Sequence, residues 1–293
     1  MASDTRLIEI SSGTLSAAVN PYGAELTQLR DAAGRELMTD ADPAYWTGHA
    51  PILFPIVGAL NGDTYRVDGR DYSLPKHGFA RRMLFETVEA AADRATFRVT
   101  DSEATLAAYP WRFSLDLTFV LAGATLSVEA TIGNPGGEAL PASFGFHPAF
   151  AWPLPYGRER ADHRIVFEGD EGPLRALTLD GLIAPGERAS PLQGRTLHLA
   201  DDLFTDDALI WDPVVSRRVT YGASEGPQLA VEFPDTDKLG IWTKPGAHYV
   251  CIEPWHGIAD PVGYAGEFRD KPGMFEVPPH GAAQINMRVT LRS

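Results

Sequence analysis

Two imidazoles and one carboxylate stand out because each lies in a short segment crowded with glycine, proline and aromatic residues. His77 sits in Lys76-His77-Gly78-Phe79-Ala80-Arg81, His147 in Phe144-Gly145-Phe146-His147-Pro148-Ala149-Phe150, and Glu253 in Cys251-Ile252-Glu253-Pro254-Trp255-His256-Gly257. Histidine and glutamate in one pocket supply a general acid and a general base. Aromatic faces suit the apolar faces of a pyranose, and glycine lets backbone come close to a ligand. These residue types point to proton transfer on a sugar.

Leu74-Pro75 before His77 and Gly78-Phe79-Ala80 after it predict a tightly turned loop, with Arg81 as a planar donor for hydroxyl or phosphate oxygens. His147 ends an alternating run that Pro148 terminates, so Ser143, Gly145 and His147 share a face, and the small residues beside the imidazole leave room for a ligand. The alternative is a core histidine satisfied by backbone. Glu253 follows the strand-like Tyr249-Val250-Cys251-Ile252; a carboxylate in so apolar a run is paired or has a shifted pKa, which suits a general base, the alternative being a salt bridge. His256 reads as a neighbour turning back to solvent, and His49 as a further lining residue. His163, His198, His248 and His280 fall in loop-like, polar settings.

Other chemistries fit less well. Two histidines and a carboxylate form a metal triad in principle, but no His-x-His or His-x-x-x-His brings two ligands together in the chain, so neither metal nor cofactor is expected. There is no Gly-x-Ser-x-Gly elbow, the lone Cys251 lacks a nucleophile's setting, and a glycoside hydrolase wants a carboxylate pair.

Strands must position these groups. In residues 112–121, Phe113, Leu115, Leu117, Phe119 and Leu121 alternate with polar residues, and after Ala122-Gly123 the alternation resumes with Leu126, Val128, Ala130 and Ile132. That is a hairpin with one buried face. Asp68-Gly69, Asn20-Pro21-Tyr22-Gly23 and Ala92-Asp93-Arg94 mark further turns. One short helix is expected over 101–109, capped by Ser102 and stopped by Pro110. The pattern is that of an all-β antiparallel sandwich, a single domain over residues 1–293, with no linker or internal repeat.

A formal net charge of −14 disfavours nucleic acid or an anionic membrane as partner, because both attract clustered Lys and Arg. No apolar run approaches the roughly 20 residues needed to span a bilayer. The first residues carry no basic, then apolar, leader, and one cysteine excludes an intramolecular disulfide framework. A soluble cytoplasmic protein is expected, monomer or homodimer, acting on a small molecule.

Taken in order, Asn20-Pro21-Tyr22-Gly23-Ala24-Glu25-Leu26, Pro51-Ile52-Leu53-Phe54-Pro55-Ile56-Val57-Gly58, His77-Gly78-Phe79-Ala80-Arg81, Gly145-Phe146-His147-Pro148-Ala149-Phe150, Leu203-Phe204-Thr205-Asp206-Asp207-Ala208 and Glu253-Pro254-Trp255 resemble the aldose 1-epimerase (galactose mutarotase) family, in particular its LacX-like bacterial branch. The resemblance covers essentially the whole chain. It implies an antiparallel β-supersandwich of the galactose mutarotase-like type and interconversion of the α and β anomers of a free aldose without a cofactor. It also implies His147 as acid, Glu253 as base, and His77, Arg81, Asp207 and Trp255 as sugar-binding residues. Ala59 departs from the pattern, standing where relatives often carry a basic residue, with Arg81 placed to take over the lost contact. A hexose-6-phosphate mutarotase and a non-catalytic sugar-binding protein are the alternatives. If His147 is the acid, a nearby ionised Glu253 should raise its pKa above the usual value of about 6.5.

Overall fold

The computed structural model describes residues 6–293. Alternation in sequence becomes alternation in burial: in the hairpin Ser114–Ala122 and Thr125–Gly133, Leu115, Leu117, Phe119, Leu121, Leu126, Val128, Ala130 and Ile132 all point into the core. The two strands pair from Ala122↔Thr125 to Ser114↔Gly133 across a two-residue turn in which Gly123 has a φ of 55°. They lie within a nine-stranded antiparallel sheet. The last strand, Ala282–Arg292, pairs with Thr125–Gly133 on one side and with Gln228–Glu232 on the other, so the end of the chain joins its two halves.

A second, six-stranded sheet packs across that core. At its centre runs Tyr249–His256, paired with Lys238–Trp242 on one edge and with two short strands, Phe144–Phe146 and Ala149–Ala151, on the other. Leu209–Trp211 and Ile52–Leu53 complete it. Successive residues of a strand face opposite ways. Here Val250 and Ile252 enter the large core, whereas Cys251, Glu253 and Trp255 occupy the other face, Cys251 and Trp255 in small separate clusters. All but the last residue of the strand are buried, because that second face is roofed by loops.

The expected turns are present. Asp68 and Gly69, with φ of 48° and 75°, join Thr64–Val67 to Arg70–Ser73. The expected helix is Glu103–Ala108, held by a capping box in which the Ser102 side chain accepts from the Thr105 N–H. His163 departs from expectation. It begins the strand His163–Phe167, is buried, and accepts the Leu154 N–H through Nε2 at 3.0 Å, with Nδ1 2.9 Å from the Glu159 carbonyl, so it is a structural histidine and not a loop residue.

The room beside His147 also has another use than expected. A Cβ on Gly145 would lie 2.6 Å from Cδ1 of Trp255, and one on Gly240, on the opposite neighbouring strand, 2.7 Å from its Cη2. The two glycines make space for the indole to lie across the sheet. Ser143, the third small residue of the set, is fully buried against Gly257 and Met274. Gly145→Ala is therefore expected to cost about 1–3 kcal/mol of unfolding free energy by overpacking, measured by urea denaturation, and most of the loss should disappear in a Trp255→Ala background. A Gly145→Ala protein as stable as its parent would contradict this account.

Candidate active site

Register brings the two proton-transfer groups together. On one side of Pro148 the pairs are Phe144↔His256 and Gly145↔Trp255, and on the other Ala149↔Cys251 and Phe150↔Val250. Both sets belong to a single antiparallel register, which carried through the gap sets His147 opposite Glu253. Ladder bonding continues there too, with the Ile252 N–H donating to the Pro148 carbonyl at 3.2 Å. Nε2 of His147 accordingly lies 3.1 Å from Oε2 of Glu253. On the far side the partner of Glu253 is Gly240, whose missing side chain leaves the space taken by the Trp255 indole.

His77 arrives from a loop whose geometry fixes its protonation. Its backbone is left-handed, with φ of 69°, and its N–H donates to the Gly58 carbonyl at 2.9 Å. The Gly58 N–H in turn donates to Nδ1 of His77 at 3.1 Å, so Nδ1 is unprotonated and Nε2 carries the hydrogen. The next residue must be glycine: Gly78 has φ of 68°, and a Cβ there would lie 2.2 Å from the Phe54 carbonyl oxygen. Arg81 is tied to this loop by a 2.8 Å bond from Nη2 to the Lys76 carbonyl, and its Nε is buried without a partner among the described residues.

Six sequence candidates, His77, Arg81, His147, Asp207, Glu253 and Trp255, line one cavity of about 230 Å³. The rings of His77 and His147 stand 6.0 Å apart, edge to face. Asp207 reaches the rim from a loop in which it holds a φ of 73°. Two tryptophans among the lining residues escaped sequence reading. Trp46 lies 5.0 Å, ring to ring, from His147, and Trp242 lies 5.9 Å from it, edge on. Lys76 enters from the same loop as His77. The only signal for Trp242 was its alternation with Gly240 in the strand Lys238–Trp242; Trp46 sits in irregular chain and gave none.

Other expectations fail. His49 does not line the cavity; its backbone N–H is bound by Glu25 at 2.6 Å and its carbonyl by Ala149. His256 ends the central strand facing away from the cavity, its ring 4.7 Å from that of Phe275. Ala59 is buried and does not line the cavity, whereas Gly58 and Ala259 do. Cys251 lies on the same strand face as Glu253 and is fully buried.

Burial dominates the electrostatics. It pulls the His147 imidazole down to about 3, with the cations of Arg81 and Lys76 acting the same way. Burial likewise pushes the Glu253 carboxyl well above its usual range; Asp207 adds to the rise and Lys76 opposes it. His77 is held well below the usual imidazole value by its enclosure and by His147, Lys76 and Arg81. The shift runs opposite to the raised His147 that the sequence led us to expect: walls that include Trp46, Trp242 and Trp255 take water from the imidazole and lower its pKa. Burial thus disfavours the charged form of both groups.

The chain matches the family model for aldose 1-epimerase over residues 6–272. It is 30% identical to the chromosomal LacX protein of Lactococcus lactis subsp. lactis over 97% of this chain and 99% of that protein. Among solved structures it superposes on a galactose mutarotase related enzyme from Lactobacillus acidophilus with a TM-score of 0.92, at 30% identity and 98% coverage of both chains. With a galactose mutarotase-like protein from Lactobacillus casei the TM-score is 0.91, at 26% identity over 98% of this chain and 100% of that one. The chain belongs to the aldose 1-epimerase family, with the antiparallel galactose mutarotase-like fold that the sequence implied. No helix among the described residues is long and apolar enough to cross a membrane.

The shifts carry a stability consequence. Glu253 has a folded-state pKa above its unfolded value, so its contribution is fully present below about pH 4.3 and is lost as pH rises toward the folded value. Glu253→Gln removes that loss. Its unfolding free energy should gain on the parent as pH rises above about 5, by up to about 1.4 kcal/mol per pH unit. An advantage that shrinks as pH rises would mean that the folded protein holds the carboxylate ionised.

Proposed function

We propose that this protein is an aldose 1-epimerase that interconverts the α and β anomers of a free aldose. The observation that supports this best is the 3.1 Å approach of His147 Nε2 to Glu253 Oε2 in an aromatic-walled cavity. A pair holding one proton is what ring opening requires. When a sugar enters, its hydroxyls and the Nε2–H of His77 supply polar partners, and the shared proton crosses to His147. Glu253 then takes the proton of the C1 hydroxyl while His147 protonates the ring oxygen, which opens the hemiacetal. The pair returns to its uncharged form with the aldehyde bound. Rotation about C1–C2 and reclosure with roles reversed yields the other anomer.

Surrounding residues have assignable work. Trp255, flat across the sheet, offers a face to the apolar side of the ring. His77 is a fixed neutral donor, and Asp207 with Arg81 pairs an acceptor and a donor for hydroxyls. One observation favours a second reading, a 6-phosphorylated aldose: Lys76 and Arg81 both line the cavity, and neither forms an ion pair among the described residues.

Nuclear magnetic resonance exchange between anomers, run on free and 6-phosphorylated aldoses, tests both readings. Glu253→Gln and His147→Asn should each lower the exchange rate by about 10²–10⁴-fold. Binding without exchange on the whole panel would instead mark a sugar-binding protein, and exchange by the metal-free protein should be indifferent to a chelator.

The pH profile should be a bell with a broad top. A second proton reaches the pair only well below the ordinary imidazole range, since burial holds His147 near about 3. The single proton leaves only above the ordinary carboxyl range. Limbs at the free-group values of about 4.3 and 6.5 would mean that the pair works in water-like surroundings.

A further inference from the structure

Cys251 takes no part in the proposed reaction, yet it lies two residues from Glu253 on one strand face and so points to the same side of the sheet. One ligand atom from each of His147, Cys251 and Glu253 lies within 4.8 Å of the other two, and all three residues are buried. We propose that these three side chains form a latent site for a thiophilic divalent cation, Zn²⁺ above all, and that the bound ion silences the catalytic pair.

Chemistry and geometry agree on this ion. Imidazole nitrogen, thiolate and carboxylate are all zinc ligands, and three protein ligands leave the fourth tetrahedral position for water or a sugar hydroxyl from the cavity. Ligand atoms around a tetrahedral zinc stand about 3.3–3.6 Å apart. His147 and Glu253 are already 3.1 Å apart. The Cys251 sulfur lies at most 4.8 Å from either, so a movement of about 1 Å closes the set. Charge closes as well: Zn²⁺ with one thiolate, one carboxylate and a neutral imidazole is a neutral complex, the kind a buried site tolerates. Binding releases two protons to solvent, one from the thiol and the one shared by the pair. What remains has neither an acid nor a base. The silencing rests on the anomer-exchange reading; the binding does not.

Co²⁺ titrated into the full chain reads the site without turnover. The intense visible bands of tetrahedral Co²⁺ and a near-ultraviolet thiolate-to-metal band should appear together, reach their limit at one equivalent, and vanish when Zn²⁺ is added. Cys251→Ser should lose the thiolate band and bind Co²⁺ at least about 100-fold more weakly, since even a residue that merely supports a ligand costs 10–100-fold. Glu253→Gln keeps the thiol and should weaken binding comparably, so it decides the matter should Cys251→Ser fail to fold by circular dichroism. No thiolate band in the parent, or undiminished affinity in either folded variant, overturns the site. Zn²⁺ should stop anomer exchange and a chelator restore it; exchange that continues with the ion bound overturns the silencing. Co²⁺ spectra in a protein that exchanges no aldose would leave the site standing and remove the functional reading.

Discussion

One strand register governs the site. Tyr249–His256 is paired in the same register before and after the break at His147-Pro148, and that continuity sets an imidazole and a carboxylate separated by more than a hundred residues across from each other. Slippage by a single residue would send Glu253 to the opposite face of the sheet, among the core side chains that surround Ile252. The wider sandwich serves to forbid that slip. Val250 and Ile252 are locked into the large core, and the nine-stranded sheet behind it is closed by the C-terminal strand.

A carboxyl and an imidazole placed this deeply are costly unless they neutralise each other. Here they stand within hydrogen-bonding distance of each other, 3.1 Å apart. In the proposed reaction a polar ligand would replace lost water with its hydroxyls, so the same burial that disfavours charge in the pair would make it responsive to occupancy. Trp46, Trp242 and Trp255 are part of the wall that produces this burial.

Much of the scaffold was legible because period-two alternation is a direct imprint of a half-buried strand. The hairpin of Ser114–Ala122 with Thr125–Gly133, the turn at Asp68-Gly69 and the capped helix Glu103–Ala108 all have local causes. His163 was misread because its flanks are charged; its imidazole is satisfied by backbone of a segment nearby, which no periodicity encodes. The convergence of His77, His147 and Glu253 was inferred from residue types and family likeness. Trp46 was missed because only tertiary placement makes it a neighbour of His147. The direction of the His147 shift was misjudged for a related reason: it is a contest between enclosure and a single charge, and enclosure is a property of the assembled walls.

Gly145, Gly240 and Trp255 come from three adjacent strands yet occupy a single volume. For heredity they behave as one character. A lineage that gives either glycine a side chain surrenders the flat indole in the same step, and one that shrinks the tryptophan opens two neighbouring sites to drift. The three should vary as a set among descendants of this chain, and their joint replacement would mark where the floor of the cavity was remade for a differently shaped guest.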